Sequence, residues 1–360
     1  MASLHRRVLT GFIIAACLTG FVRITVPVAG QSQTIPARFS DKEFWRLVSD
    51  LSEPDGNFRS DNLLSNELWY QQALPRLAQV TKPGRAYLGV GPEQNFAYAL
   101  TLKPSVAFIV DIRRGNLDLH LMYKALFELS ADRAEFVSRL FGRPRPAGLN
   151  ARTTVRQLFD AYAGAGINEN LYLQNLSDVR NALVTTHGFP LSQGDLQGIE
   201  YVDRAFFMQG PSIRYSPIGP AGGTVQPTYS ELMTATDDRG MARGFLSSEA
   251  AFAAVKDMQA RNLIVPVVGN FSGPKAIRAI SQYLKDNRAM VSAFYVSNVE
   301  EYLKQDNTWT AFCANVRTLP LDDTSTFIRS VRTEPSGTGE AFISQLPPIL
   351  EEIKNCGRNR

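Results

Sequence analysis

Apolar residues along this chain fall into two rhythms, a helical one that dominates and short unbroken runs of strand length. Ser40-Asp41-Lys42-Glu43 has the spacing of a capping box, and Phe44, Trp45, Leu47, Val48 and Leu51 are the apolar positions of the helix it opens. Pro54-Asp55-Gly56 breaks that helix. A second helix is expected over Glu67–Gln79, with Leu68, Leu74 and Leu77 as its apolar positions. Lys82-Pro83-Gly84 marks a turn, Arg85–Val90 a strand and Pro92–Leu102 a helix. Val106–Val110 is then a continuous apolar run, the form taken by a parallel strand buried on both faces. Strand, helix and strand within about 30 residues make a βαβ unit, right-handed by default.

From Leu117 to Leu140 the pattern is that of one helix, ended by Gly142-Arg143-Pro144-Arg145-Pro146. The region Asn150–Tyr229 reads as largely helical, over Val155–Ala163, Leu173–Thr185 and Ser192–Met208, and closes in the loop Gly219–Gly223. Alternation of helix and strand resumes with a helix at Ser248–Arg261, a strand at Leu263–Val268, a helix at Pro274–Lys285 and a strand at Met290–Val296. A short helix at Val299–Leu303 and a strand at Thr326–Val331 follow, giving at least five strands. The expected fold is therefore α/β and Rossmann-like, with a mostly parallel sheet. Residues 31–81 form an N-terminal helical cap, 82–149 the first half of the sheet domain, 150–247 a mainly helical insertion, 248–335 the second half, and 336–360 a C-terminal helix and tail.

Composition changes this picture little: 44% of the 360 residues are hydrophobic and 20% charged, an ordinary globular balance. The first 30 residues alter it more. His5-Arg6-Arg7, a mostly apolar Val8–Val22 and the small residues Val28-Ala29-Gly30 have the form of a secretory signal, too short and too interrupted at Arg23 for a membrane span. An uncleaved N-terminal anchor is the alternative, and Ile14-Ala15-Ala16-Cys17 also resembles a lipoprotein signal with acylation at Cys17. Without the three arginines of that segment, the 38 basic residues come almost level with the 34 acidic ones. A nucleic-acid or anionic-membrane surface is then not the expected business of the mature chain, which has no stable span. Export implies an oxidising compartment, where Cys313 and Cys356 either pair or stand unrelated. No His/Cys cluster has zinc spacing, so no metal is expected.

Ligands of open α/β sheets bind beyond the carboxyl ends of the strands. The residues placed there are Gly89, Gly91, Glu93, Gln94 and Asn95 after the first strand, Asp111, Arg113 and Arg114 after the second, and Asn270, Ser297 and Asn298 after the later ones. The glycines permit a tight turn against a cofactor, and Asp111 stands at the distance from Gly91 at which a carboxylate accepts from a ribose diol. Asn62 and Asn66 belong to a polar stretch, Arg59–Glu67, that either folds over this site or caps a helix starting at Glu67. His120 is a candidate base or a residue of a helix surface. Asp237-Asp238 is a carboxylate pair or a simple turn.

The run Gly89-Val90-Gly91 with an acid ending the next strand resembles the class I S-adenosylmethionine-dependent methyltransferases. Together with Phe108–Arg114 and Met122–Glu128, the longer string Gly89–Phe96 is similar to a family of uncharacterised bacterial proteins, among them a Leptospira protein, with a methyltransferase-like fold. The resemblance implies S-adenosylmethionine as cofactor, held by Gly89, Gly91 and Asp111. Glu93, Gln94, Asn95 and Arg113 complete the candidate cofactor site, and Asn62, Asn66, Asn270, Ser297 and Asn298 the substrate side. The chain departs from the pattern in having Tyr87-Leu88 where an acid usually precedes the first glycine, and Glu93 where a further glycine falls. Gln94 stands where a dinucleotide fingerprint needs its third glycine, which disfavours NAD. The functional expectation is an exported protein that keeps this fold as a binding module for a small-molecule ligand. The alternative is a methyltransferase acting on a small acceptor.

Overall fold

In the computed structural model, residues 34–215, 226–332 and 342–356 are described. The expected signal or anchor over residues 1–30, with Cys17, lies outside them, as do the loop Gly219–Gly223 and residues 333–341 and 357–360.

The N-terminal helix α1 (Asp41–Leu51) starts at the capping box, with Ser40 Oγ accepting from Glu43 N and the Glu43 carboxylate accepting from Ser40 N. The second helix is shorter than expected. A single tight turn at Tyr70–Ala73 leads into α2 (Leu74–Val80), because Pro75 belongs in a first helical turn and cannot continue a helix from Glu67. The sheet domain then follows as β1 (Ala86–Gly89), α3 (Gln94–Leu102) and β2 (Val106–Asp111).

The helix expected over Leu117–Leu140 is two, α4 (Arg114–Leu129) and α5 (Arg133–Phe141). Ser130 Oγ turns back to Leu126 O at 2.6 Å, and Asp132 caps the new helix by accepting from Glu135 N at 2.8 Å. Helices α6 (Val155–Ala163), α7 (Glu169–Arg180), α8 (Gln193–Gln209) and α9 (Tyr229–Thr234) make up the insertion, and α10 (Glu249–Ala260) leads back to the sheet. The remainder is β3 (Ile264–Val268), α11 (Ala276–Asp286), β4 (Val291–Ser297), α12 (Val299–Gln305), α13 (Trp309–Val316), β5 (Thr326–Arg332), β6 (Phe342–Gln345) and α14 (Ile349–Asn355). The C-terminal stretch read as helix and tail thus also holds a strand.

The six strands form one sheet in the order β3-β2-β1-β4-β5-β6, parallel except for the β5–β6 pair. This is the strand order of a doubly wound, Rossmann-like fold, with its final strand reversed. Every residue of β1, β2 and β3 is buried, as their apolar runs require when helices cover both faces. Helices α2, α3, α4 and α10 pack together along one side, and α1, α11 and α13 along another. The insertion leans on α4, where α8 crosses so closely that a Cβ on Gly198 would fall 2.1 Å from Asp118 Oδ2.

Two ties hold the periphery. Cys313 and Cys356 form a disulfide, closing α14 against α13. His187, beyond α7, bridges Asp41 of α1 and Glu128 of α4 at 2.9 and 2.6 Å, and Lys124 Nζ meets the second Glu128 oxygen at 2.6 Å. The bond to Glu128 raises the His187 pKa against the cost of its burial.

Burial also pushes the Asp118 and Asp203 carboxyls up to about 8, with Asp195 adding to the first and Glu200 to the second. An acid whose folded pKa lies above its unfolded value stabilises the fold fully below the unfolded value, and that contribution is lost as pH rises through the folded one. The melting temperature is therefore expected to fall between roughly pH 5 and pH 9, and Asp203→Asn to flatten the fall. Thermal melts in which the variant keeps the full slope would contradict the assignment.

Candidate functional site

The carboxyl edge of such a sheet gathers helix N-termini whose first N–H groups have no partner inside the helix, which suits it to anions and to ligands. Here a strap of residues 52–67, leaving α1, runs along that edge and meets the strands in turn. At β3, Glu53 N donates to Val268 O at 2.8 Å and Val268 N donates to Ser52 Oγ at 3.0 Å. The Glu53 carboxylate accepts from the backbone N–H of Asn270, Lys275 and Ala276 at 3.0, 2.8 and 2.9 Å, so it closes the N-terminus of α11. At β2, Gly56 N donates to Ile112 O at 2.9 Å, and a Cβ on Gly56 would lie 2.5 Å from Ile112 Cγ1. Asp55 Oδ1 accepts from Arg114 N, the first residue of α4, at 2.7 Å. Arg113 Nη1 donates to Asp61 O farther along the strap.

Beyond β1 and β4 the strap turns inward. Ser65 N donates to both Glu93 oxygens at 3.1 and 3.3 Å, Ser65 Oγ donates to Gln94 Oε1, and Glu67 N donates to Ser65 Oγ. Glu67 Oε2 accepts from Gln94 Nε2 at 2.9 Å, and Oε1 accepts from Tyr295 OH at 2.8 Å and Ser297 Oγ at 2.5 Å. Ser65 and Glu67 are thus buried parts of the site rather than a helix cap, the other reading their sequence allowed. Burial pushes the Glu93 carboxyl up to about 7 against the opposing hydrogen bond from Ser65 N.

The loop after β1 is filled by its own side chain. Asn95 Nδ2 donates to the carbonyls of Val90, Gly91 and Pro92 at 2.9, 3.1 and 2.8 Å, while Oδ1 accepts from Tyr87 OH at 2.7 Å. A Cβ on Gly89 would sit 1.9 Å from Asn95 Oδ1, so this glycine makes room for Asn95. Gly91 has φ +75°, a left-handed turn that favours glycine. Asp111 Oδ1 accepts from Arg113 N at 2.9 Å and lies 3.3 Å from Arg113 Nε, so that oxygen is engaged by its own chain.

The other candidates divide. Ser297 joins the Glu67 cluster, with Asn298 Oδ1 3.5 Å from its hydroxyl. Asn270 folds back to accept from Ser272 N and Oγ, both at 2.9 Å, and closes its own turn. Asn62, at φ 48°, accepts from Ser60 Oγ at 2.6 Å, and Asn66 is half-buried beside Ser65. Arg114 pairs with Asp195. Asp237 holds a local turn through Arg239 N, Met241 N and Arg243, and no cluster of metal-ligating side chains occurs among the described residues. His120 is not on a helix surface. It is 2% exposed, with Nε2 at 2.9 Å from Gly91 O, and burial lowers its pKa to about 4.

Several buried polar atoms at this edge have no hydrogen-bond partner among the described residues: Arg113 Nε and Nη2, Asn116 Oδ1 and His120 Nδ1. Gly91 is itself buried, yet a Cβ built on it would meet no atom within 4 Å. Open space therefore lies beside the turn. Sequence reasoning passed over Asn116, although its place four residues before His120 puts both on one face of α4. It also passed over Glu53 and Asp55. Two surface clefts, of about 300 and about 270 Å³, are lined by other residues, including Asp132 and Lys256 in one and Trp69 and Ile343 in the other.

Strand order, glycine turn and enclosed polar edge define a Rossmann-like α/β protein whose ligand edge is covered by its own N-terminal strap. The chain belongs to the family of a domain of unknown function, DUF7790, which matches residues 63–174 and 216–347, more than half of its length. No curated protein matches it. Glu93, Asn95, Asp111, Arg113, Asn116 and His120 all lie in the matched stretches, whereas Glu53 and Asp55 precede them.

Glu53→Ala leaves two N–H groups at the start of α11, those of Lys275 and Ala276, and that of Asn270 in the preceding loop without their acceptor. A loss of about 1–2 kcal/mol in urea unfolding is expected, the size of a lost helix cap. A variant as stable as the parent would mean that the strap does not close that helix.

Proposed function

We propose that this protein is an exported binding module on a methyltransferase-like Rossmann scaffold, and that it does not transfer methyl groups. The strap carries the reading. A nucleoside cofactor held by Gly89, Gly91 and Asp111 would lie along the edge of β1 and β2, where residues of the strap and of the turns themselves already make the hydrogen bonds. Glu93 adds a buried acid beside the turn that would face a cofactor carboxylate. A small ligand fits the arrangement better, since a Cβ on the buried Gly91 would meet no atom within 4 Å, and Arg113 Nη2, Asn116 Oδ1 and His120 Nδ1 at this edge are buried without a hydrogen-bond partner among the described residues. Export is supported by the signal-like N-terminus and by the Cys313–Cys356 disulfide, which suits an oxidising compartment.

Calorimetric titration of the full chain with S-adenosylmethionine and its demethylated product tests the exclusion. No binding tighter than about 1 mM is expected, a limit that corresponds to about 4 kcal/mol. Micromolar binding that weakens in Asp111→Ala would overturn the reading and restore the methyltransferase. Cell fractionation with sequencing of the mature N-terminus tests export, for which cleavage near Gly30 is expected.

A further inference from the structure

The sheet ends at β6, and the backbone groups of that edge can be assigned one by one. Phe327 N donates to Pro347 O at 2.9 Å, and Ile349 N donates to Ser325 O at 2.8 Å. Bonded positions in an antiparallel pair recur at every second residue, and the register sets Arg329 opposite Gln345 and Val331 opposite Ile343. Ile343 and Gln345 therefore turn their N–H and C=O groups to β5. Ser344 and Leu346 turn theirs to the other side, where no further strand lies among the described residues. Natural sheets blunt such an edge with a charged residue, a proline or a bulge. Phe342-Ile343-Ser344-Gln345 has no charge and no proline, and its register with β5 is unbroken.

A wall stands beside this edge. The turn Tyr70–Ala73 lies against β6, and no backbone hydrogen bond joins the two among the described residues. Between them is the cleft of about 270 Å³, lined by Trp69, Gln72 and Arg76 on one side and Ile343, Ser344 and Leu346 on the other. Trp69 is 47% and Ile343 45% exposed, so each side offers a large apolar surface. Arg76 is the only charged residue lining the cleft. Its Nη1 reaches Gln79 Oε1 at 3.4 Å, and it has no carboxylate partner among the described residues.

These groups place three demands on an occupant. Open N–H and C=O groups at alternate residues are matched by another extended backbone, which a small molecule does not supply. Trp69 and Ile343 call for an apolar side chain, and Arg76 for a carboxylate. A second copy of this chain would bring the uncharged strand Phe342–Gln345 to the edge and leave Arg76 unanswered.

We propose that β6 binds an extended acidic segment of a partner protein, which adds to the six-stranded sheet as a further strand. Side chains of a strand alternate between faces, so the segment carries an acid and an apolar residue two positions apart, both toward the cleft. This surface is the side of the sheet, not its strap-covered carboxyl edge, and it stands whether or not a small ligand binds there.

The test is a selection of random displayed peptides of about eight residues on the full chain. Enriched peptides are expected to carry an acid two positions from a large apolar residue and, made synthetically, to bind with a Kd below about 100 μM. Methylating alternate backbone nitrogens of such a peptide, on the side that faces β6, is expected to weaken it at least about tenfold. Arg76→Glu, an exposed change, should weaken the acidic peptide by a similar factor and restore binding of its version with lysine for the acid. Ser344→Pro removes an outward N–H without touching a bond to β5, and should abolish binding; if it does not fold, the methylated peptides decide the matter.

A selection that enriches no peptide overturns the proposal, and so does an enriched peptide whose affinity ignores both backbone methylation and Arg76→Glu. A dimer in sedimentation that Ser344→Pro dissolves would assign the edge to a second copy and overturn it as well.

Discussion

Helix N-termini at the carboxyl edge of a parallel sheet present N–H groups that must find acceptors, and here the carboxylates of Glu53 and Asp55 supply them. This pairing sets the course of the strap. Once Glu53 is seated on α11 and Asp55 on α4, residues 56–67 have to continue along β2 and β1 toward β4. The interaction otherwise available to a phosphate or a cofactor carboxylate is thus made within the chain. The ligand edge is closed by the same electrostatics that opens it in other α/β proteins.

Closure has consequences for the interior. Glu93, Gln94, Glu67 and Ser65 are all buried where the strap crosses β1 and β4, and each is held by at least one of the others. A buried polar network of this kind stabilises only when its members are satisfied, and it fixes one arrangement of the chain when they are. Tyr87 and Asn95 do the same for the loop after β1. Arg113 Nη2, Asn116 Oδ1 and His120 Nδ1, by contrast, are buried at this edge without a hydrogen-bond partner among the described residues.

The sheet was legible because parallel strands buried on both faces must be apolar throughout, as Val106–Val110 and Leu263–Val268 are. The short reversed edge strand Phe342–Gln345 has no such run and was not foreseen. Helix ends depended on single side chains: Ser130 and Asp132 split one expected helix, and Pro75 shortened another. Of the residues singled out from the sequence, Glu93, Arg113 and Ser297 meet the strap at the carboxyl edge, and Gly91 and Asp111 stand beside them in the turns after β1 and β2. What those residues do there was not legible. Glu53 finds its partners 217–223 residues away, and they are backbone N–H groups, which carry no side-chain signature. His120 looked like a surface residue because its neighbours on α4 alternate in polarity, but the insertion covers that helix and leaves it inside.

The central claim is that the strap occupies the carboxyl edge in the native protein, and hydrogen exchange at single amides tests it most directly. The amides of Gly56, Ser65, Arg114, Lys275 and Ala276 are all bonded to or by the strap, and the account predicts that they exchange slowly, as one protected group. Fast exchange at Arg114, Lys275 and Ala276 in an otherwise protected sheet would mean that the edge is open and would contradict the account.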